Sequence, residues 1–213
     1  MSLLTLTDFP QCREIAENWQ VFADELKAVE DWVQFGKTPG QLLDYKPGNE
    51  HEHQLFLEGQ WTIFPIHYGR WSDPSTLKIM YDQCGVEPEL AEATREQLPR
   101  MFPRSTEILD GLGWLNFAAF SRIHAGSRVN THTHSHPGCY ICHVGIQIPE
   151  GGTSGFKVED DVHIWNQPGD MLVFDDDLPH SAWNDGDVDR VVLFLNFSAS
   201  LCAFDTWERR HGM

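Results

Sequence analysis

From Gly113 onward the chain breaks into short β-favouring runs at regular spacing, and this texture narrows the fold more than any other feature. The runs are Trp114 to Ile123, Tyr140 to Ile148, Met171 to Phe174 and Arg190 to Phe197. Between them stand Glu150-Gly-Gly, Gln167-Pro-Gly-Asp and Asn184-Asp-Gly-Asp, residues that tolerate the backbone angles of a tight reversal. Short strands joined by such turns pair antiparallel and bury one face, which predicts a sandwich or barrel.

Alternation along two of the runs separates their faces. Tyr140, Cys142, Val144, Ile146 and Ile148 are expected on one side, with Ile141, His143, Gly145 and Gln147 on the other. In the last run Arg190, Val192, Phe194 and Asn196 share a face, opposite Val191, Leu193, Leu195 and Phe197. An arginine opening so apolar a strand needs an anionic partner or an open barrel mouth. The alternative is a rim arginine paired with Asp187 or Asp189.

The first half reads differently. Over 9–33, Cys12, Ile15, Ala16, Trp19, Phe22, Ala23, Leu26, Val29 and Trp32 recur at helical spacing, predicting an amphipathic helix. Thr7 or Asp8 can cap it, and Pro10 is tolerated in its first turn. A Gly/Pro-rich loop follows to about residue 55, and Trp61 to Tyr68 reads as a strand with Pro65 at an edge or bulge. Further helices are expected from Asp73-Pro74 to Gly85 and from Pro88 to Leu98. Helices first and strands after predict one domain: a helical part over 1–105 with the early strand at 61–68, a barrel core over 106–200, and a tail over 201–213. The fold class is mainly β, a jelly-roll or cupin-like barrel buttressed by N-terminal α-helices.

A formal charge of −17 argues against nucleic acid and anionic membrane surfaces as partners. No stretch approaches the roughly 20 apolar residues of a membrane span. The five cysteines form no framework, and Cys139-x-x-Cys142 has no second pair with which to build a zinc ribbon. The opening residues lack a basic region followed by an apolar run, so the chain is expected to be soluble and cytoplasmic.

Chemistry concentrates at His132, His134, His136 and His143, answered downstream by Asp175-Asp-Asp, His180 and Arg190. Neutral imidazole is the commonest metal ligand in proteins, and a His-x-His pair at a strand end with a distant third histidine suits a first-row metal. Imidazoles alone admit Fe, Zn, Cu or Ni. Arginine beside two histidines, with little other positive charge, suits a small dicarboxylate co-substrate bound to iron, the logic of 2-oxoglutarate-dependent oxygenases. Two other readings stand beside it. One is a cupin-like isomerase or dioxygenase with three histidine ligands; the other is a non-catalytic small-molecule-binding barrel.

The ordered set Phe120-Ser-Arg-Ile-His-Ala-Gly-Ser, Thr131-His132, His143-Val-Gly-Ile-Gln-Ile-Pro149, Trp165 to Gly169, Phe174-Asp-Asp with His180 and Trp183-Asn184, and Arg190-Val-Val-Leu resembles the aspartyl/asparaginyl β-hydroxylase family. The resemblance covers about residues 114–198. It implies a double-stranded β-helix, Fe(II), 2-oxoglutarate and O₂, and hydroxylation of an amino acid side chain, small peptide or related metabolite with release of succinate and CO₂. By that likeness His132 and His180 bind iron, Arg190 pairs with the far carboxylate of 2-oxoglutarate, and Ser121 and His143 make further contacts to it.

Two departures stand out. Where many non-heme iron oxygenases show His-x-Asp, this chain has His132-Thr-His134; His134 is either a third ligand or turns away and leaves the position to water. Ile141 stands where some members carry arginine, which leaves the prime substrate open. Trp183 either belongs to the barrel wall or lines the substrate entrance. His124 and His136 read as loop or supporting residues, His163 as a strand-surface residue, and the three aspartates as a solvated turn, one of which could orient His180. Oligomeric state is not legible.

Overall fold

The computed structural model describes residues 2–4, 9–27, 61–77, 92, 95–133 and 138–198. Among the described residues ten strands form two antiparallel sheets. The larger has β1 (Leu3–Leu4), β8 (Met171–Asp175), β5 (Cys139–Gln147), β10 (Arg190–Ser198), β3 (Leu115–Ile123) and β2 (Trp61–His67), side by side in that order. The smaller runs β4 (Ser127–His132), β9 (His180–Asn184), β6 (Ser154–Val158) and β7 (Asp161–Ile164). From β3 to β10 each strand crosses to the other sheet from the one before it, apart from the β6–β7 hairpin. The resulting order is a jelly roll of the double-stranded β-helix type, as the resemblance implies.

Alternation works as expected on the larger sheet. Outward side chains Tyr140, Cys142, Val144, Ile146, Val191, Leu193, Leu195 and Phe197 are buried with Phe9, Ile15 and Phe22 of the N-terminal segment. Inward side chains Ile141, Leu172, Phe174 and Val192 instead meet Val129, Phe156, Val158 and Ala182 of the smaller sheet. One residue departs from the expected parity. Ile148 joins the inner cluster, because the β5–β10 register shifts between Val191 and Val192, opposite Gln147 and Gly145. The extra residue is Ile146, and a bulge of this kind re-aims the side chains after it.

The helical layer is more broken than the periodicity suggests. A 3-10 turn at Pro10–Cys12 leads into α1 (Arg13–Glu17) and α2 (Trp19–Lys27). Asn18 interrupts them with φ −103° and ψ 18°, and its side-chain amide donates to the Glu14 carbonyl at 2.8 Å. The expected helix beyond residue 27 lies outside the described residues, as do the loop to residue 55, most of the 73–85 helix and most of the 88–98 helix. Asp73 opens its helix as expected: its Oδ1 accepts from the backbone N–H groups of Ser75 and Thr76, both at 3.1 Å.

Two helices, α3 (Leu98–Met101) and α4 (Pro103–Asp110), fall where the sequence suggests no element. The α4 N-terminus is capped from a distance, since Glu25 of α2 accepts from the N–H groups of Arg104 at 2.8 Å and Ser105 at 2.9 Å. A carboxylate at a helix N-terminus satisfies orphan donors and opposes the dipole, and no local pattern announces one supplied 80 residues away. The expected irregularity at Pro65 is present, as a register shift between Pro65 and His67. Among the described residues no helix is long and apolar enough to cross a membrane.

Phe197 ties the helical layer to the larger sheet. It has no solvent exposure, and its ring meets Trp114 at 5.2 Å, Phe9 at 5.8 Å and Tyr140 at 6.1 Å. Phe197→Ala should therefore cost about 3–5 kcal/mol of unfolding free energy, read as a lower urea midpoint by tryptophan fluorescence. A loss under about 1 kcal/mol would show that the helices do not depend on this contact.

Candidate metal and anion site

His132 ends β4 and His180 begins β9, and the antiparallel register makes them Cα partners. Their ring centroids are 4.2 Å apart at 60°. Each ring is held by a carbonyl two residues before it: His132 Nδ1 lies 2.8 Å from the Asn130 oxygen and His180 Nδ1 lies 2.7 Å from the Leu178 oxygen. A carbonyl can only accept, so both Nδ1 atoms carry the proton, and in the neutral rings the lone pairs belong to Nε2. Fixing one ring nitrogen this way is how metal-ligating histidines are oriented. Aromatic rings frame the pair: Phe156 stacks at 5.7 Å from His180, Phe174 stands 4.9 Å from it, and Trp61 lies 6.4 Å from His132.

Arg190 opens β10 from the inner face and is only 1% exposed. Its Nε and Nη1 have no hydrogen-bond partner among the described residues, and its guanidinium lies 5.8 Å from the Trp165 ring centroid. Burial pulls its pKa down to about 9, still well above neutrality, so the cation persists. The rim alternative is not what the fold adopts. Asp189 turns the other way, 3.2 Å from His124 Nδ1 and 3.7 Å from Arg122 Nε. Buried donors without acceptors are costly, and a buried cation more so, so Arg190 is a buried cation with unmet hydrogen-bonding capacity among the described residues.

His143 stands on the same inner face, within 5.1 Å of the Phe156 ring and 5.6 Å of both Phe174 and Phe194. Its Nδ1 is buried without a partner. Burial, then the nearby positive charge of Arg190, holds its pKa well below the ordinary imidazole value, with Asp176 opposing. It is therefore neutral at physiological pH. Ser121 is 2% exposed and accepts from Trp61 Nε1 at 2.8 Å, which leaves its own O–H to donate. Ile141 is buried and pairs with Phe174 and Asn196, forming an apolar wall.

Other expectations resolve differently. Trp183 alternates with the inward residues His180, Ala182 and Asn184 and stands on the outer face of the smaller sheet. Its indole covers Gly155, where any added Cβ would collide with the ring. It belongs to the barrel wall and does not line the interior. His163, expected at the strand surface, turns inward: its Nε2 is buried without a partner and its ring meets Trp165 at 4.5 Å. The inversion follows from β7 being a sheet edge whose outward residues, Val162 and Ile164, are 52% and 40% exposed. Asp176 is 6% exposed, not solvated, and the Leu178 carbonyl lies 2.7 Å from His180 Nδ1.

His134 and His136 lie outside the described residues. Among the described residues no three His, Cys, Asp or Glu side chains converge to hold a metal. A cavity of about 440 Å³ beside Ile66, Tyr68, Leu98 and Leu109 lies on the helical side of the molecule and away from the histidine pair.

The fold is thus a double-stranded β-helix whose interior holds an adjacent histidine pair and, on the facing sheet, a buried arginine. The chain belongs to the aspartyl/asparaginyl β-hydroxylase family, whose model matches residues 16–199. It is 33% identical over 103 residues to an ornithine lipid ester-linked acyl 2-hydroxylase of Rhizobium tropici, covering 48% of this chain and 36% of that protein. It is 25% identical over 186 residues to the human aspartyl/asparaginyl beta-hydroxylase, covering 86% of this chain and 20% of that protein. The chain thus matches well under half the length of either relative. A predicted oxalate decarboxylase from Thermotoga maritima overlaps 44% of this chain and 73% of its own at 19% identity, with a TM-score of 0.33, too low to carry an argument.

If the Nε2 atoms of the pair are the metal donors, His132→Ala and His180→Ala should each abolish tight Fe(II) or Zn(II) binding in equilibrium dialysis. Thermal melting of the metal-free protein should shift little in the His132 variant, whose ring is partly exposed. Unchanged metal binding in either variant would remove that residue from the site.

Proposed function

We propose that this chain is an Fe(II)- and 2-oxoglutarate-dependent oxygenase that hydroxylates an amino acid side chain, a small peptide or a related metabolite, with O₂ consumed and succinate and CO₂ released. The observation that carries this reading is Arg190: a fully buried cation with two unpartnered donors, on the face that also bears His143 and within the barrel that holds His132 and His180. A barrel needing only a metal has no use for such a group.

The residues fit the groups they would hold. His132 and His180 would offer Nε2 lone pairs to iron, and Arg190, Ser121 and His143 would offer hydrogen bonds to the co-substrate. Bound iron with the keto acid supplies the oxidising chemistry. The chain's own part is orientation and exclusion. Arg190 sets the far carboxylate with its planar fork. Neutral His143 can donate from its unpartnered nitrogen without adding charge. Phe156, Phe174 and Ile141 keep water from the reacting centre and favour a substrate that presents carbon there, which suits side-chain hydroxylation. The negative surface favours a cationic or zwitterionic substrate over an anionic one.

Adding Fe(II) and then 2-oxoglutarate to the metal-free protein under anaerobic conditions should produce a visible charge-transfer band that neither gives alone. Admitting oxygen should bleach it and release succinate. A metal-loaded protein showing neither band nor succinate would favour the cupin-like or non-catalytic readings. Arg190→Ala should raise the 2-oxoglutarate requirement by roughly 2–5 kcal/mol in binding terms, and Arg190→Lys should recover only part, since lysine keeps charge without the fork. An unchanged requirement in Arg190→Ala would remove this residue as the clamp.

A further inference from the structure

The described interior holds more unpartnered hydrogen-bonding groups than the residues assigned above. Besides Arg190 Nε and Nη1 and His143 Nδ1, Trp165 Nε1 and His163 Nε2 are buried with no partner. These groups are neighbours. The Arg190 guanidinium faces the Trp165 ring at 5.8 Å, and the His163 ring meets Trp165 edge-on at 4.5 Å and 74°. Trp165 is 3% exposed, its backbone N–H donates to the Ser154 carbonyl at 2.9 Å, and it follows directly on β7.

The chemistry of these groups is one-sided. Indole Nε1–H and guanidinium N–H are donors only. Three such nitrogens from two chain segments, two in Arg190 on the larger sheet and one in Trp165 beside the smaller, are buried together with no acceptor. Burial lowers the Arg190 pKa, and its Nε and Nη1 meet no acceptor among the described residues. Water could accept from these donors but would leave the cation uncompensated, whereas a carboxylate supplies two acceptor oxygens and the missing charge. A single carboxylate can accept from the guanidinium on one oxygen and from the indole on the other.

We propose that Trp165 Nε1–H is a second donor to the far carboxylate of the dicarboxylate held by Arg190, and that His163 is a positioning residue fixing the plane of the indole. The site therefore grips that carboxylate from both sheets, and Trp165 contributes to selecting a dicarboxylate over a monocarboxylate keto acid. This inference rests on the co-substrate reading above.

Calorimetry on the Zn(II)-loaded protein, with 2-oxoglutarate and with 2-oxobutyrate, tests it. Both ligands carry the keto acid end; only 2-oxoglutarate carries the far carboxylate. Wild type should prefer 2-oxoglutarate. Trp165→Phe keeps the aromatic body and removes the donor, and should weaken 2-oxoglutarate on the order of tenfold while leaving 2-oxobutyrate unchanged. His163→Ala should lose part of the preference, and His163→Phe, which retains an edge-on ring, should restore it. Retention of full preference by Trp165→Phe would overturn the proposal and leave the oxygenase reading standing; absence of any preference in wild type would overturn both. A readout that needs no variant is the indole N–H spectrum of the ¹⁵N-tryptophan-labelled protein. The resonance assigned to Trp165 by its contacts with the His163 ring should move downfield with 2-oxoglutarate and not with 2-oxobutyrate. A Trp165 signal that stays in place would overturn the proposal even if Trp165→Phe did not fold.

Discussion

The site depends on the register of β10 between its two neighbours. β10 pairs with β3 on one side and β5 on the other, so Val192 stands between Ser121 and Gly145 and Phe194 between Ala119 and His143. That row faces the smaller sheet, and the alternate row, Val191, Leu193, Leu195 and Phe197, faces the helices. A slip by one residue would exchange the rows, placing Arg190 under the helices and Leu193 among the histidines. The buried outer row resists such a slip, because every member would leave its apolar partners. Packing against the helical layer thus holds the chemistry on the opposite face.

The smaller sheet supplies the other half. Pairing of β4 with β9 brings His132 opposite His180, and the carbonyls of Asn130 and Leu178, each two residues upstream, set the same tautomer on both. Phe156 on β6 closes against His180 and His143 at once. Two sheets are needed because one cannot place imidazoles and a guanidinium on facing walls across a space.

Charge is distributed to match. The chain carries a formal −17, yet a fully buried cation sits in its interior with Nε and Nη1 unpartnered among the described residues. Asp189, the sequence neighbour of Arg190, points to the rim and is engaged by Arg122, His124 and the Ala125 N–H. Strand alternation separates the two neighbours, Arg190 to the buried inner face and Asp189 to the rim. His143 beside it stays neutral through burial and like charge, so the cavity gains a hydrogen-bonding nitrogen without gaining charge.

The apolar strands and the site residues on them were legible in the sequence, since period-two alternation in β5 and β10 separates faces without reference to any other segment. His132, His180 and Arg190 stood out in the sequence through their density and through an ordered likeness to one family, and the fold brings the two histidines together. The strands of the smaller sheet were harder to read: β4, β6 and β9 are short and place serine, asparagine, glycine and histidine where a core strand would carry aliphatics. Tertiary structure alone decided which way Trp183 and His163 face, because that depends on which sheet edge and which neighbour each strand meets. It alone decided that Glu25 caps a helix 80 residues downstream, that the bulge at Ile146 turns Ile148 inward, and that Trp165 shares its burial with Arg190. Local pattern can assign a residue to a face; only the closure of one sheet over the other determines what that face meets.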